Sequence, residues 1–307
     1  MLNFLALTPL LAKLGLPPAI GSDELAGGAL PHWRLGLEDG TALVLRAYRD
    51  GEDLPRHEAW VAGRLAGLSV PTKQYLCFDE SRELLPFAFA LTSWVPGRAI
   101  RAFADAPDAA DLHRQMGALL REMHEIRAEG FGLLGPQAPK GPAHFDAFLD
   151  RHVPAIFAGF RKAGGDPALA DALERHVAAH REVLWRPTGA VLAHNDFQPG
   201  NVLADRGADG KLRLTGLIDF GSAVGNDATS DLAKALFCCE HEMPGCGAAL
   251  RAGYGPVDHP EPEAALRLNL LLHRLIMWTT LSRVAPPDSP GPTQLITDLE
   301  QMLAEPA

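Results

Sequence analysis

The sequence predicts an α+β fold in two lobes, a small strand-rich first lobe followed by a larger helical second lobe. Residues 1–97 contain short apolar segments bounded by glycine, proline or acidic residues, a pattern typical of strands joined by turns. From about residue 105 onward, apolar residues recur mostly at helical spacing over five long segments. The change lies near Pro96-Gly97, a turn signal. We therefore expect two domains, residues 1–97 and residues 98–307.

Within the first lobe we expect a helix that begins at Thr8-Pro9, followed by four strands that a second helix interrupts. The strand segments are HWRLGLEDG, TALVLRAYRD, KQYLCFDE and FAFALTSWV, and the second helix lies at about 56–67. In the second lobe, helices are expected at 108–128, 143–163, 167–184, 229–243 and 261–285. Residues 190–221 interrupt this helical pattern with four short strand-like segments, VLAHN, NVLAD, LRLTG and GLIDF. The second lobe should therefore contain a small β insert.

Composition excludes several classes of protein. The chain has 307 residues, of which 47% are hydrophobic and 21% charged, as in ordinary soluble folded proteins. A net charge of −10 argues against a nucleic-acid partner, which requires a basic surface. No uncharged apolar segment reaches the length of a membrane-spanning helix, and the four cysteines lack CxxC spacing. We expect a cytoplasmic monomer or homodimer that binds neither membranes nor nucleic acid.

The segment LAHNDFQPGNVL, residues 192–203, places His194, Asp196 and Asn201 close together between two apolar runs. A polar turn would explain such residues, since Asx side chains often cap turns. However, Asp219 follows in LIDFG, at the end of a predicted hairpin. Phosphoryl transfer from ATP requires a carboxylate that deprotonates the attacking hydroxyl and hard oxygen ligands for Mg²⁺. This set can supply both, which favours a catalytic loop over a turn.

The pattern H-x-D-x-x-x-x-N followed by I-D-F-G resembles the aminoglycoside phosphotransferase family, small-molecule relatives of protein kinases that are also related to choline and homoserine kinases. The segment NDATSDLA at 226–233 is similar to the family's G-D-P-x-x-D-L-A, from which it departs at two positions. The resemblance implies a bilobal, protein-kinase-like fold whose β insert carries the catalytic loop. It also implies that Asp196 is the catalytic base, that His194 braces the loop, and that Asn201 and Asp219 bind Mg²⁺.

The resemblance further implies that the first lobe binds the nucleotide. Gly27 and Gly28 lie between an early helix and a strand, in the place of a phosphate-covering turn, although glycine pairs are often only turns. Arg46 occupies the position of the strand lysine that holds the phosphates in kinases, and Glu58 is its expected ion-pair partner.

The same resemblance implies that the first lobe ends in an interlobe hinge, FALTSWVPG. There, the backbone groups of Ser93 and Val95 would bind the adenine, because N–H and C=O groups need no particular side chain. ATP is the expected phosphate donor, with GTP as an open alternative.

The expected acceptor is a small hydroxyl compound, and the resemblance favours a cationic one such as an aminoglycoside. Such a protein would be an antibiotic-resistance kinase. Residues 98–307 carry 27 acidic against 20 basic side chains. Candidate acceptor residues are Asp231, Glu240, Glu242 and Trp278, which together could form an anionic wall with an aromatic face. Glu240 and Glu242 could instead be solvated residues at a helix end. A metabolic kinase for a small alcohol such as homoserine or choline, and a non-catalytic nucleotide-binding pseudokinase, remain alternatives.

Overall fold

The computed structural model describes residues 2–26, 30–49, 54–136, 138, 141–184, 189–286 and 288–304. The chain divides into two compact units, one formed by residues 1–102 with 200–221 and the other by residues 103–199 with 222–307. The predicted boundary at residue 97 therefore lies close to the first division. The segment 200–221, however, was expected within the second lobe and belongs to the first unit.

The described residues form ten strands and ten α-helices. The strands are β1 (Ala19–Glu24), β2 (His32–Leu37), β3 (Ala42–Tyr48), β4 (Tyr75–Asp79), β5 (Ala88–Ser93), β6 (Arg98–Ala99), β7 (Val191–Ala193), β8 (Val202–Arg206), β9 (Leu212–Leu217) and β10 (Val224–Asn226). The helices are α1 (Thr8–Lys13), α2 (Leu54–Arg64), α3 (Ala109–His124), α4 (Phe145–Lys162), α5 (Pro167–Ala179), α6 (Arg181–Leu184), α7 (Ala228–Glu242), α8 (Gly247–Tyr254), α9 (Pro262–Leu281) and α10 (Pro290–Ala304). Strands β1, β6 and β10 and helices α8 and α10 were not among the predicted elements.

An antiparallel sheet of five strands dominates the first unit, in the order β1-β2-β3-β5-β4. Strands β2 and β3 alternate buried and partly exposed residues over much of their length, as expected for a sheet with one face on the core. The buried face packs against α1 and the residues before it, and its central leucines include Leu35, Leu45 and Leu91. This packing fixes strand β3, which carries Arg46.

A second, three-stranded sheet explains why residues 200–221 belong to the first unit. In it β6 pairs with β8, and β8 pairs with β9. The Leu217 N–H also donates to the Pro71 C=O at 3.1 Å. At Gly216 an added Cβ would lie 2.1 Å from a Val95 methyl carbon, so only glycine permits this close approach. These long-range contacts join the hairpin to both sides of the predicted hinge, and no local sequence pattern reveals them.

The second unit is mainly helical. Helix α9 packs against α4, α7 and α10 around a large apolar core that includes Phe157, Phe160 and Leu275. Helices α3 and α8 pack very closely, since a Cβ at Gly253 would lie 1.9 Å from the Arg114 carbonyl oxygen. A short antiparallel pair, β7 with β10, carries the segment that leads into residues 194–199. Within the described ranges, no helix has both the length and the apolar character that crossing a bilayer requires.

Candidate active site

The β8–β9 hairpin brings Asn201 and Asp219 to neighbouring positions in the first unit. Asn201 immediately precedes β8, and the Ile218 N–H, one residue before Asp219, donates to the Asn201 C=O at 3.0 Å. Asn201 is buried, whereas Asp219 is exposed and has a φ of +63°. A non-glycine residue in this left-handed region is uncommon and is characteristic of functional loops. The hairpin thus presents a carboxamide and a carboxylate, the oxygen donors that Mg²⁺ prefers.

A buried carboxylate in the same unit holds two cations. The predicted Arg46–Glu58 ion pair is present, with an N–O distance of 3.1 Å. Glu58 is fully buried, and its second oxygen accepts hydrogen bonds from Lys73 Nζ at 2.6 Å and from the Tyr75 hydroxyl. Burial alone would raise the pKa of Glu58, but Lys73 and then Arg46 outweigh it and lower that pKa. Glu58 is therefore an ionised carboxylate.

Asp219 interacts electrostatically with the cluster formed by Arg46, Glu58, Lys73 and Tyr75. Burial by itself would lower the pKa of Arg46, but the attraction of Glu58, with a smaller contribution from Asp219, raises it. Lys73 Nζ lies 5.7 Å from the ring centroid of Phe220, the residue after Asp219. Two cations are thus placed in the part of the unit that also carries the predicted Mg²⁺ ligands.

The predicted hinge residues differ in the availability of their backbone groups. The Ser93 N–H donates to the Gln74 C=O at 2.9 Å, and the Trp94 N–H donates to the Ala42 C=O at 3.3 Å. These bonds extend the sheet, so the Ser93 N–H cannot bind adenine without breaking one of them. Among the described residues, the Val95 N–H has no such backbone partner. Gly27 and Gly28, predicted to cover the phosphates, lie outside the described residues.

In the second unit, Asp231, which was predicted to bind the acceptor, holds the loop that contains Asp196. The Asp231 carboxylate accepts the N–H groups of His194 and Asn195, each at 2.8 Å, one on each oxygen. It also pairs with His124 Nε2 at 3.1 Å and is only 1% exposed. Asn195 has a φ of +56°, a conformation that asparagine tolerates better than most residues. Asp231 therefore fixes the backbone that immediately precedes Asp196.

A buried chain of hydrogen bonds stabilises this arrangement. His124 Nδ1 lies 2.8 Å from the Tyr254 hydroxyl, and an Nε2–H tautomer lets the imidazole accept from Tyr254 while donating to Asp231. Burial alone would raise the pKa of Asp231, but the hydrogen bond from His124 and the one from the Asn195 N–H lower it. The carboxylate is thus kept ionised, the form that accepts all three donors.

The two predicted catalytic residues differ in exposure. The His194 ring is fully buried and contacts the Phe197 ring edge-on at 5.8 Å, which suits a bracing role rather than contact with a ligand. Asp196 is half-buried, and its carboxylate accepts a hydrogen bond from Gln198 Nε2 at 3.1 Å. Of the two, Asp196 is the group that a ligand can reach.

Two predicted acceptor residues have structural partners. Glu240 accepts the N–H groups of Gly245 at 2.6 Å and Gly247 at 3.0 Å and so closes the turn after α7. Trp278 is 4% exposed and packs on Phe160 in the core, with ring centroids 4.6 Å apart. Glu242 is half-buried at the end of α7. The expected aromatic face of an anionic wall is therefore not available to a ligand.

Comparison with known proteins agrees with this geometry. The model of the phosphotransferase enzyme family APH matches residues 23–266, most of the chain. The chain belongs to this family. It is accordingly a small-molecule phosphotransferase, as the sequence predicted. A search of curated protein sequences gave no match.

Solved structures of similar fold include three kinases of small molecules. A thermostable mutant of aminoglycoside phosphotransferase APH(4)-Ia, in complex with ADP and hygromycin B, has a TM-score of 0.73 and 19% identity over 97% of both chains. APH(2")-IIia with GDP and kanamycin has a TM-score of 0.61 and 19% identity over 97% of both chains. A candidate fructosamine-3-kinase from Thermobifida fusca has a TM-score of 0.70 and 20% identity, over 99% of this chain and all of the other. The predicted kinase-like fold is therefore confirmed.

Sequence reasoning missed Lys73 and His124, two residues of this phosphotransferase that contact predicted site residues. Lys73 becomes visible only through its contact with Glu58, fifteen positions away. The sequence contains a weak signal for it. Lys73 and Tyr75 lie two positions apart at the start of a predicted strand, so their side chains point to the same face. His124 lies in the predicted helix 108–128, but its pairing with Asp231, 107 positions away, is a tertiary contact.

Proposed function

We propose that this phosphotransferase transfers the γ-phosphate of ATP to a hydroxyl group of a small molecule and requires Mg²⁺. One observation carries the proposal: a single hairpin presents Asn201 and Asp219 together, in the unit that also contains the cations Arg46 and Lys73. Oxygen ligands and cations in one region are what a Mg²⁺-bound triphosphate requires.

In this proposal each residue has a defined task. Asn201 and Asp219 would hold Mg²⁺, which when bound neutralises charge on the phosphates. Their chemistry fits the ion, since Mg²⁺ uses one or two carboxylates together with phosphate oxygens and water. Asp196 orients the acceptor hydroxyl and takes its proton. Arg46 and Lys73 bind phosphate oxygens, and the Val95 N–H donates to adenine.

The phosphate donor is proposed to be ATP, with GTP as the alternative. Both possibilities have support among the structural neighbours, since one is a complex with ADP and another a complex with GDP. Backbone recognition at the hinge does not by itself select between the two bases. A cytoplasmic location is part of the proposal, because ATP is the substrate.

The acceptor is proposed to be a hydroxyl-bearing small molecule. Two neighbours bind the aminoglycosides hygromycin B and kanamycin, which supports an antibiotic acceptor and a role in resistance. On this chain, however, Glu240 and Trp278 are engaged in structural contacts, which weakens the case for a cationic acceptor. A metabolic alcohol kinase therefore remains the second candidate. Ionised Glu58 and the held catalytic loop argue against a non-catalytic protein.

The experiment that tests this function replaces the proposed base. We expect Asp196→Ala to lower turnover, measured as acceptor-dependent ADP release with Mg·ATP, by about 10²–10⁴-fold. The Tm should stay within a few degrees, because Asp196 is half-buried in a polar loop, and affinity for Mg·ATP should be unchanged. Asp205→Ala, at an exposed position of β8, is the matched control and should keep full activity. Undiminished turnover in Asp196→Ala would reject the proposed function.

A further inference from the structure

A cavity in the second unit lies beside Asn195, next to the proposed base in the chain. It is walled by α4, α7 and α9 and encloses about 480 Å³ of empty space, part of which is open to solvent. Its apolar lining residues are Phe145, Phe148, Leu149, Ile156, Leu272 and Ile276. Small-molecule sites combine such apolar walls with polar groups that orient the ligand.

The polar residues that line the cavity include Lys234. Among the described residues that line the cavity, Lys234 is the only lysine, and there is no arginine, aspartate or glutamate. Its Nζ donates to the Asn195 C=O, which leaves two further N–H donors on the ammonium group. The other polar lining residues are His152, Asn195, Asn226, Ser230, Asn269 and His273. The cavity thus contains a positive charge with no carboxylate in its walls.

A buried imidazole adds an unsatisfied group. His273 is 6% exposed, and its Nε2 has no hydrogen-bond partner among the described residues. Burial, then the charges of Lys234 and Arg274, lower the pKa of His273 to about 3, so the ring is neutral at physiological pH. A buried polar atom without a partner is costly unless a ligand or water satisfies it. His273 lines the cavity, and a polar group of the occupant that reached its Nε2 would satisfy that atom.

We propose that this cavity binds the acceptor, and that the acceptor is an anionic hydroxyl compound with an apolar ring rather than a polycation. The inference rests on the proposed function, because only that function requires a hydroxyl acceptor. The ring packs on the aromatic wall of α4, and the anionic group pairs with Lys234. An ammonium group in the same position would face Lys234 without a compensating carboxylate, and like charges in a partly desolvated site oppose binding.

Three probes that differ in charge test this preference. They are 4-(hydroxymethyl)benzoate, 4-methylbenzyl alcohol and 4-(aminomethyl)benzyl alcohol, which share one ring and one primary hydroxyl. Binding to the full chain is measured by equilibrium dialysis without nucleotide, so that the result does not depend on turnover. We expect the benzoate to bind most tightly, the neutral alcohol less tightly and the ammonium compound least.

Two lysine variants assign the preference to its cause. Lys234→Met should weaken the benzoate on the order of tenfold, leave the neutral alcohol nearly unchanged and strengthen the ammonium compound. Lys162→Met, at the exposed end of α4, changes the net charge equally and should leave all three affinities unchanged. If Lys234 only supported the loop through Asn195, affinity for all three probes would fall together, and the charge preference would be rejected.

A gain of function provides an independent check, because it does not depend on the stability of Lys234→Met. Ile276 is 37% exposed and lines the cavity, so an aspartate there would remain partly solvated. Ile276→Asp should therefore make the ammonium compound the best ligand of the three. Equal or tighter binding of the ammonium compound to the unaltered protein, or an unchanged ranking in Ile276→Asp, would overturn the proposal. Loss of ADP release in every assay would instead reject the phosphotransferase function, whatever the ranking of affinities.

Discussion

Each of the two units contains a fully buried carboxylate, and the two are satisfied in different ways. In the first unit, Glu58 is paired with the flexible side chains of Arg46 and Lys73. In the second unit, Asp231 accepts two backbone N–H groups and an imidazole. Cationic side chains can turn toward another anion, whereas backbone amides cannot leave without moving the chain. Glu58 therefore holds two cationic side chains near the proposed phosphate site, where they can still bind another anion. Asp231, in contrast, fixes the conformation of a loop.

The largest loss of stability is expected when the buried contacts of Asp231 in the second unit are removed. Asp231→Ala leaves the His194 and Asn195 N–H groups and His124 without their acceptor in a buried site, and should destabilise the protein by about 3–5 kcal/mol. Turnover should fall as well, since the loop loses its brace. Urea denaturation measures the first effect and ADP release the second. Asp111→Ala, which removes an exposed carboxylate paired with Arg114, is the control and should change stability by less than about 0.5 kcal/mol.

Removal of the Glu58 carboxylate in the first unit should cost less stability. After Glu58→Ala, Lys73 and Arg46 keep partial access to solvent, with 13% and 25% of their side chains exposed, so the loss of stability should be smaller, about 2–3 kcal/mol. The KM for ATP should rise several-fold, because two cations lose their position. Denaturation and steady-state kinetics check both values. A larger loss of stability than in Asp231→Ala would reverse the comparison between the units.

As the pH decreases, the second unit should begin to lose stability at a higher pH than the first unit. The pKa of His273 is lowered by burial from 6.5 to about 3, so below pH 6.5 the unfolded chain binds a proton that the folded chain does not. Stability should therefore fall as pH decreases from 6.5, by at most about 1.4 kcal/mol per pH unit. Glu58, with a pKa lowered from 4.5, keeps its contribution until the pH falls below that value. In denaturation at pH 6.5 to 4.5, His273→Asn should show a flatter decline than the unaltered protein.

The smallest effect concerns Glu240, which resembles Asp231 in accepting two backbone N–H groups but is exposed. Because water can replace it, Glu240→Ala should cost only about 0.5–1 kcal/mol. The KM for the acceptor should not change. A several-fold increase in that KM would return Glu240 to the acceptor site and restore the cationic acceptor expected from the sequence.

The sequence predicted those parts of the site that are encoded locally. His194, Asp196 and Asn201 lie within eight positions, and the chemistry of the loop follows from their order. The Arg46–Glu58 pair was also predicted, because the resemblance to kinases supplies both positions. The first prediction rests on a short-range sequence pattern, and the second rests on the resemblance to kinases.

Contacts between distant segments were beyond sequence reasoning. Lys73 reaches Glu58 and Asp231 reaches the loop only in the folded chain. Trp278 was taken as an aromatic ligand face, but helix α9 is apolar on several sides and turns this residue into the core. GLIDF was expected as a strand, whereas β9 ends at Leu217 and leaves Asp219 outside the strand, with a φ of +63°. Burial and pairing, which depend on the whole fold, decided each of these points.

The division of the chain has a consequence for synthesis. The first unit includes residues 200–221, so β6 finds its partner β8 only after all of residues 103–199 have been made. During vectorial translation, the five-stranded sheet can form early, but the hairpin that carries Asn201 and Asp219 must wait for most of the second unit. A ribosome stalled before residue 221 would therefore hold a folded sheet without its proposed metal ligands in place. In this enzyme the proposed nucleotide site would be among the last parts of the first unit to mature, although most of that unit is synthesised before residue 103.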